Sequence, residues 1–177
     1  KAKLPDYKDV EQVVLTKTQS WTDRMRQILK RDQVRLYDDV FPLNYQRLYG
    51  TSTLQSDVEH IDALLKTKDI QLNLYRPDDM GEGQMRFKIY ALDDAVPLSD
   101  VMPILENFGL YVISERPFQL HRSGSDKNIW MHDFHVCARA KNTSYDIEQL
   151  RPVFIEAFRS VWHKNAANDE LNRLVAA

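Results

Sequence analysis

Apolar residues recur every three or four positions through the first third of the chain, then every second position beyond Ile70. The early spacing predicts helices. Val10, Val13, Val14, Trp21, Met25, Ile28 and Leu29 fall near one helical stripe. Ser20-Trp-Thr-Asp23 resembles a capping box, so a break at Ser20 competes with one continuous helix. Val34, Tyr37, Val40 and Phe41 make a second helical stretch that Pro42 interrupts or restarts. Gly50-Thr-Ser-Thr53 has loop composition. Ser56-Asp-Val-Glu59 is a cleaner capping box, predicting a short helix that buries Val58, Ile61, Leu64 and Leu65.

From Ile70 the period is two. Ile70, Leu72 and Leu74 alternate with Gln71, Asn73 and Tyr75, and Met85, Phe87 and Ile89 with Arg86, Lys88 and Tyr90. The Pro77–Gly83 connection makes these an antiparallel hairpin with one buried face. Val101, Ile104, Leu105 and Phe108 then return to helical spacing. Pro103 has no N–H and fits the first turn, which places the helix start near Ser99 or Asp100, either of which can cap it. Gly109 is placed for a left-handed C-cap. Leu110–Leu120 and Asn128–Ala138 read as paired strands joined by the polar segment His121–Lys127. A last long helix carries Ile147, Leu150, Phe154, Phe158, Val161 and Trp162 on one stripe, where Pro152 predicts a kink or a late start. Asn168 or Asp169 would cap a final, truncated helix.

A chain of 177 residues with 43% hydrophobic and 28% charged residues suits one sizeable globular core, or one domain with an appended subdomain. A net charge of -2, with bases interspersed among acids, gives no electrostatic reason to bind nucleic acid or an anionic membrane. No apolar run approaches the roughly 20 residues of a bilayer span. The lone Cys137 excludes an internal disulfide and fits a reducing cytoplasm. The chain opens on Lys1 and closes inside helical composition at Leu174–Ala177, so an excised fragment of a longer protein is expected.

Candidate chemistry is sparse. His132 and His135 are three apart on a strand and point to opposite faces, so they cannot share a metal without a bulge. His135 and Cys137 share a face, but two ligands make a poor zinc site. Glu115 and Arg116 project to opposite faces, and Pro117 suits an edge strand. Asp133, between Met131 and Phe134, calls for a backbone or arginine partner at a domain junction. Trp130, Phe134, Phe154, Phe158 and Trp162 have core spacing, not that of a ligand box. The sequence contains no G-x-G-x-x-G fingerprint, P-loop, nucleophile elbow or metalloprotease helix. Neither a catalytic, a cofactor-binding nor a metal-ligating set is therefore assigned.

Several motifs in register resemble one family. They are Ser20-Trp21, Phe41-Pro42 with Tyr45, the Leu98–Pro117 block with Gly109-Leu-Tyr-Val and Glu115-Arg-Pro117, Trp130-Met-His-Asp-Phe134, Pro152-x-Phe154 with Ala157-Phe158 and Val161-Trp162, and Asp169–Leu174. Together they resemble the non-catalytic N-terminal region of the large-subunit bacterial NAD-dependent glutamate dehydrogenases, where such segments lie in an ACT-like module. The resemblance implies an α+β, ferredoxin-like sheet. An ACT domain runs β-α-β-β-α-β with sheet order 4-1-3-2, whereas no strand follows the Trp162 helix here. The Ile70–Arg76 strand can take the missing place beside Met85–Leu92. The expected spatial order is Ile70–Arg76, Met85–Leu92, Asn128–Ala138, Leu110–Leu120, antiparallel, with both long helices on one face. Expected divisions are a helical subdomain over 1–68, the ACT-like domain over 69–164, and a truncated helix over 165–177.

The functional expectation is a regulatory or scaffolding module of a parent enzyme that oxidatively deaminates L-glutamate to 2-oxoglutarate. The fragment itself holds no cofactor; NAD belongs to the parent. Its partners would be other domains or subunits of a homo-oligomeric, cytoplasmic enzyme. A stand-alone amino-acid sensor is the alternative, and a small ferredoxin-like enzyme using His132, Asp133, Glu115 or Arg116 a further one. ACT domains commonly hold amino acids near the loop after their first strand. Here that implies a weak effector site at Asp93, Asp94, Ala95, Ser99 and Asp100, where no glycine lets backbone approach and three acids repel a carboxylate.

Overall fold

The computed structural model describes residues 20–139 and 146–168. The stripe at Val10–Val14 and the cap proposed at Asp169 lie outside them. Ser20 does cap a helix: its hydroxyl accepts from the Asp23 backbone N–H, and α1 runs Trp21–Ile28. α2 (Arg31–Tyr37) follows, and Pro42 stands at the N-cap of α3 (Leu43–Leu48), so the proline restarts the helical path. α4 spans Thr51–Thr67. It takes in Thr51–Thr53 of the Gly50–Thr53 segment expected to be loop, with Gly50 at its N-cap, and Ser56 lies within it instead of capping it. The physical reason is Leu54, which is fully buried and extends the stripe of Val58, Ile61 and Leu64 by a turn. The Ser56 hydroxyl, freed from capping, accepts from Asn73 Nδ2 at 3.1 Å.

β1 (Gln71–Tyr75), β2 (Gln84–Leu92), β3 (Leu110–His121) and β4 (Asn128–Ala138) form one antiparallel sheet ordered β1-β2-β4-β3. This is the order expected from the sequence, with Pro117 on the edge strand. β3 carries a bulge between Val112 and Ser114, which lets its two halves turn different side chains to a given face.

Between β2 and β3 lies α5 (Leu98–Asn107), and α6 (Ile147–Trp162) follows β4. Both pack on one face, where Val101, Ile104, Leu105, Phe108, Phe154 and Phe158 meet Leu72, Leu74, Phe87, Ile89, Phe134 and Val136. The rings of Phe87, Phe108, Phe154 and Phe158 interlock at centroid separations of 4.9 to 6.4 Å. Arg151 Nε donates to the Leu74 carbonyl at 2.6 Å and ties α6 to the edge strand.

Two prolines sit deeper in their helices than expected. α5 begins at Leu98 with Pro97 at the N-cap, so neither Ser99 nor Asp100 caps it, and Pro103 is an interior residue. Its first turn is tight, with Asp100 N–H donating to the Pro97 carbonyl at 3.0 Å. Likewise α6 starts at Ile147, capped by Asp146, and continues through Pro152 without a late start. Burial of the apolar stripes on either side outweighs the one backbone bond that each proline forfeits. Gly109 closes α5 as expected, with φ 78° and its N–H on the Glu106 carbonyl.

The expected hairpin with one buried face is corrected on β2, which is buried on both. Helices α1 to α4 cover the second face, where Met25, Tyr37, Phe41, Tyr45, Leu54, Val58 and Ile61 join Tyr90, Phe118, Leu120, Ile129 and Met131. Arg86, Lys88 and Tyr90, which alternate with the apolar residues of β2, thus point into a second core instead of water.

Candidate functional site

The junction between α1–α4 and the sheet holds the densest polar chemistry among the described residues. Lys88 and Asp57 are both fully buried, one on β2 and the other on α4. Lys88 Nζ donates to the two Asp57 oxygens at 2.8 and 2.7 Å. The Tyr45 and Tyr90 hydroxyls donate to the same carboxylate at 2.5 and 2.6 Å. The Tyr49 ring lies 4.3 Å from the ammonium and covers its open side. Burial, and after it the Asp57 charge, pushes the Tyr45 and Tyr90 hydroxyls well above the ordinary phenol range. They remain neutral donors, and every oxygen lone pair of Asp57 has a partner on offer.

A second buried pair lies beside the first. Arg86 Nη2 donates to Asp133 Oδ2 at 2.5 Å, and the Tyr49 hydroxyl donates to the same oxygen. Asp133 therefore meets the arginine its apolar surroundings demand, together with a tyrosine from α3–α4. Its other oxygen, Oδ1, is buried without a hydrogen-bond partner among the described residues. Burial, and after it Asp133, raises the Tyr49 hydroxyl in the same way.

On the other face, His132 is nearly fully buried and both its nitrogens are engaged. The Val96 backbone N–H donates to Nε2 at 3.1 Å, so the ring proton sits on Nδ1, 2.8 Å from Glu115 Oε1. His135 points the opposite way and bonds Gln84 at 3.1 Å. Glu115 and Arg116 likewise part company: Glu115 serves His132, and Arg116 lies opposite Asp133 in the strand register. Among the described residues no group of three or more His, Cys, Asp or Glu side chains could hold a metal ion.

Asp93, Asp94, Ala95, Ser99 and Asp100 do come together, at the β2–α5 loop and the first turn of α5, and all five are exposed. Asp93 adopts φ 66° and pairs with Lys127 at 2.8 Å. Its N–H donates to the Asn128 carbonyl, and the Ser99 hydroxyl turns to Asp100 at 3.3 Å. His132, through Val96, anchors this loop from beneath.

Residues 69–150 match the family model described as glutamate dehydrogenase, ACT3 domain. The chain carries an ACT-like region of NAD-specific glutamate dehydrogenase. It is 34% identical over 139 residues to the NAD-specific glutamate dehydrogenase of Halomonas elongata, and 36% identical over 136 residues to that of Pseudomonas aeruginosa. Those stretches cover 78% and 76% of this chain but only 8% of either relative. The ACT3 match takes in all four strands, α5 and the first turn of α6. The similarity to the two dehydrogenases is longer than that match.

The ACT3 sheet positions the buried pairs, but sequence reading did not find Asp57–Lys88. Lys88 sits at a polar position of an alternating strand, which reads as a solvent face, and Asp57 sits inside an apparent capping box. A usable signal was present in Tyr37, Phe41, Tyr45 and Tyr49. Four aromatics at intervals of four, three with hydroxyls, mark a helical path facing something that needs donors.

Proposed function

We propose that this chain acts as a non-catalytic regulatory or scaffolding module of a large NAD-dependent glutamate dehydrogenase, whose parent reaction is the oxidative deamination of L-glutamate to 2-oxoglutarate. The observation that carries this reading is the way the strand ionisable groups are used. Lys88 with Asp57, Arg86 with Asp133, and His132 with Glu115 are paired inside the protein. A general acid or base must reach a substrate proton. His132, Lys88 and Asp57 instead meet side chains and backbone of this chain on every polar atom.

Such pairs suit mechanical coupling. Buried ion pairs have narrow geometric tolerance, so displacement of the helical layer must be followed by the sheet or else break them. NAD and glutamate belong to another part of the parent in this reading. The partners are neighbouring domains or subunits of a cytoplasmic homo-oligomer, with boundaries near residues 68 and 164. An amino-acid effector at Asp93, Asp94, Ala95, Ser99 and Asp100 would be held weakly. The α5 N-terminus contributes roughly 0.3–1 kcal/mol toward a carboxylate, against three nearby acids.

Calorimetric titration of the chain with NAD and with L-glutamate tests the reading. Neither ligand should give a saturable heat. Saturable binding of NAD, or of glutamate enhanced by NAD, would place a catalytic subsite here and overturn it.

A further inference from the structure

A cavity of about 390 Å³ opens where the start of α4 and the β1–β2 connection meet the second face of the sheet. We propose that it is a binding site for a small organic carboxylate, held by Arg86 and Arg116. This site is distinct from the β2–α5 loop and does not depend on the regulatory reading.

Two guanidinium groups line the cavity with donors to spare. Arg86 is almost wholly buried, yet it bonds only through Nη2, leaving Nε and Nη1 without a hydrogen-bond partner among the described residues. Arg116 reaches the same cavity from β3, and its side chain makes no hydrogen bond or ion pair among the described residues. A planar fork of donors matches a carboxylate in geometry and charge. His135, opposite Arg86 in the strand register, lines the same wall. Burial, then Arg86, holds its imidazole below the usual histidine range; Arg116 adds to this and Asp133 opposes it.

The rest of the lining gives the ligand's shape. Ser52 and Thr53, in the first turn of α4, border the cavity, and Gly50 at the N-cap offers no side chain to satisfy that turn's free N–H groups. Tyr49, Tyr75 and Met80 supply apolar surface for a short carbon stem. Asp79, exposed at the rim, disfavours a second negative charge at the far end. A monocarboxylate on a short uncharged stem satisfies all of these features, whereas a phosphate would leave the apolar wall unused and add charge near Asp79.

The test is NMR titration of the whole chain with butyrate, and separately with inorganic phosphate, at constant ionic strength and neutral pH. Butyrate should give saturable shifts at Arg116, His135 and Thr53 and raise the His135 pKa, because an anion beside the ring stabilises its protonated form. Arg116→Gln removes a charge-assisted pair from an exposed side chain that bonds nothing else among the described residues. It should weaken butyrate binding by about tenfold and leave the remaining spectrum unchanged. No saturable shift with butyrate, or equal affinity in Arg116→Gln, would overturn the site. Phosphate binding as tightly as butyrate would overturn the carboxylate assignment.

Discussion

Lys88 and Asp57 show how a single register position decides the environment of a charge. In β2, Phe87 and Ile89 face α5 and α6, which forces Lys88 toward α4, where Asp57, Tyr45 and Tyr90 await it. Removing one partner leaves the other charged, buried and unpaired. Lys88→Met should therefore destabilise the fold by about 3–5 kcal/mol, read as a shift in urea midpoint. Adding Asp57→Leu should recover only part of that loss, because it removes the unpaired buried charge but takes the acceptor from the buried Tyr45 and Tyr90 hydroxyls. A midpoint shift for Lys88→Met worth less than about 1 kcal/mol would contradict the loss expected for an unpaired buried charge. At this scale the sequence was legible where polarity clashed with its neighbours. Asp133, flanked by apolar residues, demanded an arginine at a junction and has Arg86. Lys88 and Arg86 gave no such warning, since strand alternation is the same whether the polar face meets water or a second layer of protein.

Element boundaries were legible wherever apolar periodicity and a local stop signal agreed. Asn128–Ala138 falls on the residues expected, and Gly109 ends α5 in the left-handed conformation. Signals that rest on a local side chain alone misplaced the starts of α4 and α5. Ser56 and Ser99 could cap, but burial of Leu54 and of the α5 stripe extended each helix past them. The same logic makes α6 dependent on its stripe, not its cap. Phe154 is buried among Phe87, Phe108 and Phe158. Phe154→Ala should cost about 3–5 kcal/mol, measured by thermal or urea unfolding. A change under about 1 kcal/mol would mean the surrounding rings close over the gap, at odds with a tightly interlocked core.

Across the whole molecule, the sheet order and the helices on its first face were legible because the family resemblance implied a ferredoxin-like sheet and a tight hairpin set Ile70–Arg76 beside Met85–Leu92. The covering of the second face was not. It depends on how residues ahead of β1 fold back, a long-range contact that leaves no periodic trace beyond the aromatic spacing of Tyr37, Phe41, Tyr45 and Tyr49. That second covering matters most for function, since it encloses the ionisable groups a solvent-facing sheet would have offered to substrates. The non-catalytic reading itself can be measured on the first face, in the proposed full-length parent enzyme carrying both Glu115→Ala and His132→Ala, following turnover alongside assembly state. These two residues hold the β2–α5 loop and touch no substrate in this account, so the assembled enzyme should keep its turnover number within about tenfold. A loss of many orders of magnitude with fold and assembly intact would contradict a non-catalytic module and make this pair part of the active site.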